Sequence, residues 1–459
     1  MLKKNEIITT DITDITDLGF GVGRHDGQVI FISDCVPGDT VKVRIIKVNK
    51  SYAVGRAEEI LHRSDIRCND RCDIAECKSC AYKNIGYPHE LIKKHESVKS
   101  SFAREGLANV KICDVVASPA TVGYRNKAQY PISIRRDGEY VLGFYAPKSH
   151  RVTEARKCPL APTIFAEILD TAADFFKKHA IPVYDEESGA GLLRHVYLRR
   201  AEIGGEVLLT FVINGDTLPC EDELVALMTS KFADIVGILI NSNKKNTNVV
   251  LGDEWRTLFG RDYIYDTLGG VRLKITAPSF YQVNRAAADL LYAKAKELAA
   301  PSENDTVLDL FCGAGSIGLS MAKECGELIG VEIVDSAVRC ARENAVTNGI
   351  SHAKFYTGNA SDTEKLLDNA ERELGRRISP DVIILDPPRA GCSETLINYV
   401  TRLAPKRVVY VSCNPQTLAR DCKLFASLGY SCGEVTPFDL FPATGHVESV
   451  VCLTRTFNN

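Results

Sequence analysis

Two residues near the C-terminus have the chemistry of a covalent catalyst. Cys413 ends the apolar run Val408-Val409-Tyr410-Val411-Ser412 and precedes Asn414-Pro415. Glu448 follows the Pro- and Gly-rich segment Phe441-Pro442-Ala443-Thr444-Gly445-His446-Val447 and leads into the apolar Val450-Val451-Cys452-Leu453. A cysteine after a strand is usually a buried, inert core residue. A thiol and a carboxylate at neighbouring strand ends, however, are what substitution at C5 of a pyrimidine requires. Uracil C5 is a poor nucleophile towards a methyl sulfonium. A thiolate adding at C6 makes an enolate with electron density at C5. Once C5 has taken a methyl group, a base must remove its proton so that the thiol can leave. Cys413 suits the first role and Glu448 the last, with His446 as the rival base.

Such a pair needs strands to hold it and a loop to bind the methyl donor. Thr306-Val307-Leu308-Asp309-Leu310-Phe311-Cys312-Gly313-Ala314-Gly315-Ser316-Ile317-Gly318 reads as a buried strand, a Gly-rich turn and a helix. Leu328-Ile329-Gly330-Val331-Glu332 is a second strand ending in an acid about 20 residues past the glycines, where a carboxylate can accept ribose hydroxyls. A nicotinamide cofactor uses the same layout. The turn Asp309-Leu310-Phe311-Cys312-Gly313-Ala314-Gly315 has the methyltransferase form instead. Asp386-Pro387-Pro388, after the apolar strand Val382-Ile383-Ile384-Leu385, is common among base methyltransferases and sits where α/β sheets place ligands.

A third centre is cysteine-rich. Cys72, Cys77 and Cys80 lie within one short loop (68–80), with Cys68 just upstream and Cys158 far along the chain. Thiolates this close point to a metal. Zinc would take Cys68 as a local fourth ligand; an iron–sulfur cluster accepts a remote one such as Cys158. Sixteen cysteines in 459 residues do not make a disulfide scaffold, which would be short and secreted.

Around these centres the chain divides into three. Residues 1–60 carry short strands, among them Val29-Ile30-Phe31-Ile32 and an alternating Val41, Val43, Ile45 run; they predict an OB-like β-barrel that binds nucleic acid. Residues 61–270 predict a central α+β domain, with a helix from Tyr87 to about Gly106 whose inner positions are Leu91, Ile92, His95, Val98 and Phe102. Residues 271–459 alternate strand and helix as a Rossmann-like, doubly wound sheet. Net charge is only −3, but residues 61–160 hold 18 Lys/Arg against 11 Asp/Glu, a basic stretch suited to RNA. No apolar run reaches the roughly 20 residues that span a bilayer. The first residues lack the apolar region of a secretory signal. A cytoplasmic enzyme without membrane contact is expected.

Together these motifs resemble the RNA uracil-C5 methyltransferases, in particular the iron–sulfur branch that modifies 23S ribosomal RNA. Residues 10–60 look like the TRAM domain of that branch. Gly123-Tyr124-Arg125-Asn126-Lys127-Ala128-Gln129-Tyr130-Pro131 is similar to its central motif and Phe280-Tyr281-Gln282-Val283-Asn284 to its cofactor-site motif. Asp386-Pro387-Pro388-Arg389, Ser412-Cys413-Asn414-Pro415 and Gly445-His446-Val447-Glu448 match its catalytic motifs. The resemblance implies an S-adenosyl-L-methionine-dependent enzyme with Cys413 as nucleophile and Glu448 as base. It implies that Gln282, Phe311, Ser316, Glu332, Asn359 and Asp386 hold the cofactor or the uracil. It implies a 4Fe-4S cluster on Cys72, Cys77, Cys80 and Cys158, with Cys72 preferred to Cys68 because Ser64 and Arg67 stand where the family's Ser and Arg precede its first ligand. The partner is RNA, 23S ribosomal RNA above all, and a monomer is expected. Two features depart from the family. Cys72 and Cys77 are separated by four residues instead of five, with Lys78-Ser79 after them instead of two glycines; and Asn359 replaces an acid. Transfer RNA as substrate, N6-adenine methylation and a non-catalytic RNA-binding protein are the alternatives.

Overall fold

The N-terminal strands close on themselves. In the computed structural model, which describes residues 2–68, 71–74, 76–147, 149–359, 362 and 365–456, β1 (Ile7–Ile15), β2 (Phe20–His25), β3 (Gln28–Ser33), β4 (Thr40–Val48) and β5 (Tyr52–His62) form a barrel in the order β1-β2-β3-β5-β4. Its interior is set by alternation: Val41, Val43 and Ile45 are fully buried while Lys42 faces out. Within the cysteine loop, Asn69, Asp70 and Ala75 lie outside the described residues.

Helix α1 (Tyr87–Arg104) follows, with Pro88 in its first turn. Its inner face is only in part the predicted one. Glu90, Lys94, Val98, Ser101 and Phe102 are buried, whereas Ile92 is 53% exposed. Two charged residues sit inward because they pair with each other and with the C-terminal region, which makes the apolar pattern a poor guide here. Val98 and Phe102 pack in the core of the C-terminal domain.

The central domain is a seven-stranded sheet in the order β12-β11-β10-β9-β6-β7-β8. It comprises β6 (Lys127–Ile134), β7 (Tyr140–Tyr145), β8 (Val152–Glu154), β9 (Leu193–Arg200), β10 (Val207–Ile213), β11 (Ile235–Ser242) and β12 (Glu254–Gly260), with helices α2 (Thr163–Lys178) and α3 (Glu221–Lys231) contributing to one core. The hairpin β13 (Tyr263–Leu268) and β14 (Val271–Thr276) turns at Gly269-Gly270 and packs on the C-terminal domain through Ile264, Leu268, Leu273 and Ile275. The expected division at 270/271 therefore runs through a hairpin turn.

The C-terminal domain orders its strands β17-β16-β15-β18-β19-β22-β20, with β21 also pairing to β22. They are β15 (Thr306–Leu310), β16 (Glu327–Glu332), β17 (Ala353–Thr357), β18 (Val382–Leu385), β19 (Arg407–Ser412), β20 (Tyr430–Cys432), β21 (Thr436–Phe438) and β22 (Glu448–Arg455). The first five run parallel; β22 is antiparallel to β19. Helices α4 (Arg285–Ala299), α5 (Ser316–Met321), α6 (Asp335–Thr347), α7 (Asp368–Leu374), α8 (Glu394–Arg402) and α9 (Pro415–Ser427) complete the domain. β18 is buried throughout, as a sheet covered on both faces requires.

Candidate active site

The cofactor turn is built by strained backbone at a strand end. β15 stops at Leu310 and the chain passes through Phe311 at φ 65°, an uncommon angle for a residue with a side chain. Gly315 follows at φ 80°, and a Cβ there would lie 3.0 Å from the Phe355 ring. The buried Asp309 carboxylate accepts the Gly318 N–H at 2.9 Å, and burial pushes it up to about 8. Glu332, at the end of β16, accepts the Gly313 N–H at 3.1 Å and the Val334 N–H at 2.9 Å. The turn and its acid are thus tied to one another.

A cavity of about 770 Å³ opens at these strand ends. Gln282, Phe311, Glu332, Asn359, Asp386, Cys413 and Glu448 all line it. Ser316 is not among the wall residues; its hydroxyl meets Tyr292 OH at 2.8 Å, and Tyr292 also hydrogen-bonds Gln282. Gln282 is further fixed from the central domain, whose Asn126 donates to its carbonyl at 2.8 Å. The neighbouring Asn284 caps α4 and donates to Leu440 O at 3.1 Å.

The thiol and the carboxylate come from adjacent strands. β19 and β22 pair Ser412 with Ser449. Cys413 follows Ser412 and Glu448 precedes Ser449, so both stand one residue beyond this pair at the same end of the two strands, and both line the cavity. Glu448 is 7% exposed. Burial, then the neighbouring Asp386, pushes its carboxyl up to about 8, against the pull of Arg389. Burial alone takes Asp386 up to about 7. Burial, Glu448 and Asp386 push the Cys413 thiol up to about 11, with Arg389 again opposing. A cation entering this cavity would favour the ionised form of all three. His446 also lines the cavity, but its ring engages Arg389 Nη2 at 3.1–3.2 Å, and burial and Arg389 lower its affinity for a proton.

Three wall residues carried no role in the sequence reading: Phe280, 74% exposed on the cavity wall, Arg389 and Phe441. An aromatic next to Gln282 and an Arg directly after Asp386-Pro387-Pro388 were the available signals. The apolar wall from Leu366 and Leu396 had none.

A second cavity, of about 290 Å³, is lined by Cys72, Cys77, Cys80 and Cys158. Burial pushes the Cys80 thiol up to about 12, and Cys158, Cys77 and Cys72 add to the effect. The four thiols thus share one site, and Cys68 is not part of its wall. Arg71 lines the same cavity, and its buried Nη2 has no hydrogen-bond partner among the described residues.

Residues 238–456 match the family described as tRNA (Uracil-5-)-methyltransferase, and residues 2–57 match the TRAM domain. An RNA methyltransferase of Bacillus cereus is 37% identical over 99% of this chain and 98% of its own. The chain belongs to the RNA methyltransferases and carries a tRNA (uracil-5-)-methyltransferase-family domain. A second RNA methyltransferase, from Clostridium acetobutylicum, is 36% identical over 99% of this methyltransferase and 98% of its own length. The crystal structure of Pyrococcus abyssi tRNA (uracil-54, C5)-methyltransferase in complex with S-adenosyl-L-homocysteine superposes with a TM-score of 0.78 at 28% identity, covering 97% of this chain and all of that one. The TRAM match falls on the barrel, and among the described residues no helix is long and apolar enough to cross a membrane.

Proposed function

We propose that this methyltransferase transfers a methyl group from S-adenosylmethionine to C5 of a uridine in 23S ribosomal RNA, with Cys413 as nucleophile and Glu448 as base. The observation that carries this reading is that Cys413 and Glu448, each one residue beyond the Ser412–Ser449 pair, share the wall of the cavity that Glu332 and Asp386 also line. S-adenosylmethionine supplies an electrophilic methyl group on a cationic sulfur. The chain's own residues do the rest. Glu332, Asn359, Phe311 and Gln282 bind, and Asp386 closes the wall between cofactor and base. The uridine leaves its stack to reach the strand ends. Cys413 Sγ bonds to C6 as the thiol loses its proton, and the C5=C6 electron pair becomes available at C5. After C5 is methylated, Glu448 takes the C5 proton, the C6–S bond breaks and the double bond re-forms. Arg389 holds His446 and tempers the negative charge of Glu448 and Asp386.

Cys72, Cys77, Cys80 and Cys158 would hold a 4Fe-4S cluster. Their shared cavity and Arg71 Nη2, buried with no hydrogen-bond partner among the described residues, support that assignment. The barrel and the basic stretch beside it would take RNA through its backbone charge.

Methylation of transfer RNA is the second reading, favoured by the likeness to the Pyrococcus abyssi enzyme. Mapping 5-methyluridine in ribosomal and transfer RNA from cells with and without the gene decides between them. Loss of a modified uridine from 23S ribosomal RNA is expected; loss confined to transfer RNA would overturn the first reading.

A further inference from the structure

The cysteine cavity and the loop that carries the catalytic carboxylate are joined by a buried chain of charges. Lys94, fully buried on α1, contacts Glu90 Oε1 at 2.8 Å and Asp439 Oδ1 at 2.6 Å and donates to Phe441 O at 3.1 Å. Glu90, equally buried, accepts the Ala443 N–H on Oε1 at 2.7 Å and Arg71 Nη1 on Oε2 at 2.5 Å. Asp439 Oδ1 also accepts the Phe441 N–H at 3.0 Å. From the other side Tyr82 N–H donates to Ala443 O at 2.9 Å and Tyr124 OH to Pro442 O at 3.0 Å. Residues 439–443 are therefore held by side chains and backbone that lie more than 300 positions earlier in the sequence, and Glu448 follows five residues later. Arg71 directly precedes Cys72, and both Arg71 and Ala443 line the cysteine cavity.

Two buried acids balanced by two cations do not make an efficient stabilising device, because desolvation consumes most of the Coulomb gain. Apolar side chains of similar volume would hold α1 as firmly. What the charges add is geometry: the Phe441 and Ala443 N–H groups and the Phe441 carbonyl each meet a buried charged side chain. At the end of this chain of charges, Arg71 Nη2 is buried at the cysteine cavity with no hydrogen-bond partner among the described residues. An anionic group held by those thiols would give it one.

We propose that Arg71 is a positioning residue, through which occupation of the cysteine cavity fixes the loop bearing Glu448. The cluster then acts on catalysis mechanically, by placing the base, without transferring an electron. This rests on the reading of Glu448 as the base.

The test uses full-length, cluster-containing protein, RNA and methyl-labelled S-adenosylmethionine. Glu448→Gln serves as reference: it should accumulate a methylated RNA adduct on Cys413 that survives denaturing electrophoresis. Arg71→Gln should accumulate the same adduct, with product release slowed about tenfold and cofactor affinity within about twofold of wild type; Arg71→Lys should recover much of the rate. A merely structural role would lower cofactor binding and adduct formation together. Hydrogen exchange provides a second readout independent of activity and of any variant: chelating the cluster from the wild-type protein should speed exchange of the Phe441 and Ala443 amides. Release by Arg71→Gln at the wild-type rate, parallel loss of all steps, or unchanged exchange at those amides would overturn the proposal. If Glu448→Gln itself gives no adduct, the failure lies in the assignment of the base and not in the coupling.

Discussion

The rate of the last chemical step should rise with pH through the neutral range. Glu448 is almost wholly enclosed, and burial with the nearby Asp386 pushes its carboxyl up to about 8. Before methyl transfer a cationic sulfur in the cavity would offset that shift. Afterwards the sulfur is neutral, so the base must take the C5 proton in an environment close to that of the cofactor-free site. A group titrating near 8 is about one-tenth ionised at pH 7 and half ionised at pH 8. Elimination should therefore accelerate about fivefold over that unit, about tenfold per unit below it, and level off above. The assay forms the methylated adduct at pH 6 in a single turnover, jumps the pH, and follows release of RNA from Cys413. Glu448→Gln should release slowly and without this profile. A linked effect supports the same shift: because the folded value lies above the unfolded one, the stability from this group is present below its ordinary value of 4.5 and is lost as pH rises through about 8. Glu448→Gln should therefore gain stability relative to wild type between pH 5 and 8. A release rate flat from pH 6 to 8, or a Gln variant with the wild-type profile, would refute the assignment.

Other outcomes follow from single contacts. Cys413→Ala should lose methyl transfer by at least about a thousandfold while keeping cofactor affinity, checked by single-turnover labelling beside cofactor titration. Purified protein should contain iron and sulfide; Cys72→Ser should lose them and Cys68→Ser keep them, since Cys72 lines the cysteine cavity and Cys68 does not, and stoichiometric zinc after anaerobic purification would overturn the cluster. Gly445→Ala should slow turnover by about a hundredfold with cofactor affinity unchanged. Its Cβ would lie 2.3 Å from Asp17 O in the barrel, so the loop before Glu448 or the barrel must move.

The chemistry was legible because ligand-binding residues of an open α/β sheet cluster at strand ends, and each end announces itself as an apolar run stopping at a polar residue. Cys413, Glu332 and Asp386 were found this way, and Glu448 from the Pro- and Gly-rich segment before its strand; each lines the cavity. Ser316 stands off the cavity wall because the helix start after the Gly-rich turn points its hydroxyl to Tyr292, a residue on α4 that no local pattern ties to the turn. Glu90 and Lys94 were invisible for a related reason. Periodicity assigns charged residues to the outside, and their pairing with each other, with Arg71 and with the far-off Asp439 makes their burial tolerable. The turn at Asp17-Leu18-Gly19 joins β1 to β2 of the barrel. In the fold it also backs the catalytic loop at Gly445 and the cysteine segment, since a Cβ on Gly19 would lie 2.6 Å from Ala81 O. Contacts between distant segments leave no local trace when each partner looks like an ordinary surface or turn residue.

The central claim is that Cys413 bonds to a uridine that receives its methyl group at C5, and trapping measures it most directly. Ribosomal RNA in which the target uridine is replaced by 5-fluorouridine has no C5 proton for Glu448 to take, so the reaction should halt as a covalent complex. Digestion and mass spectrometry of that complex should give a peptide containing Cys413 joined to a C5-methylated fluorouridine. A complex through another thiol, methylation of adenine at N6 without any covalent complex, or normal turnover of the fluorinated RNA would contradict it.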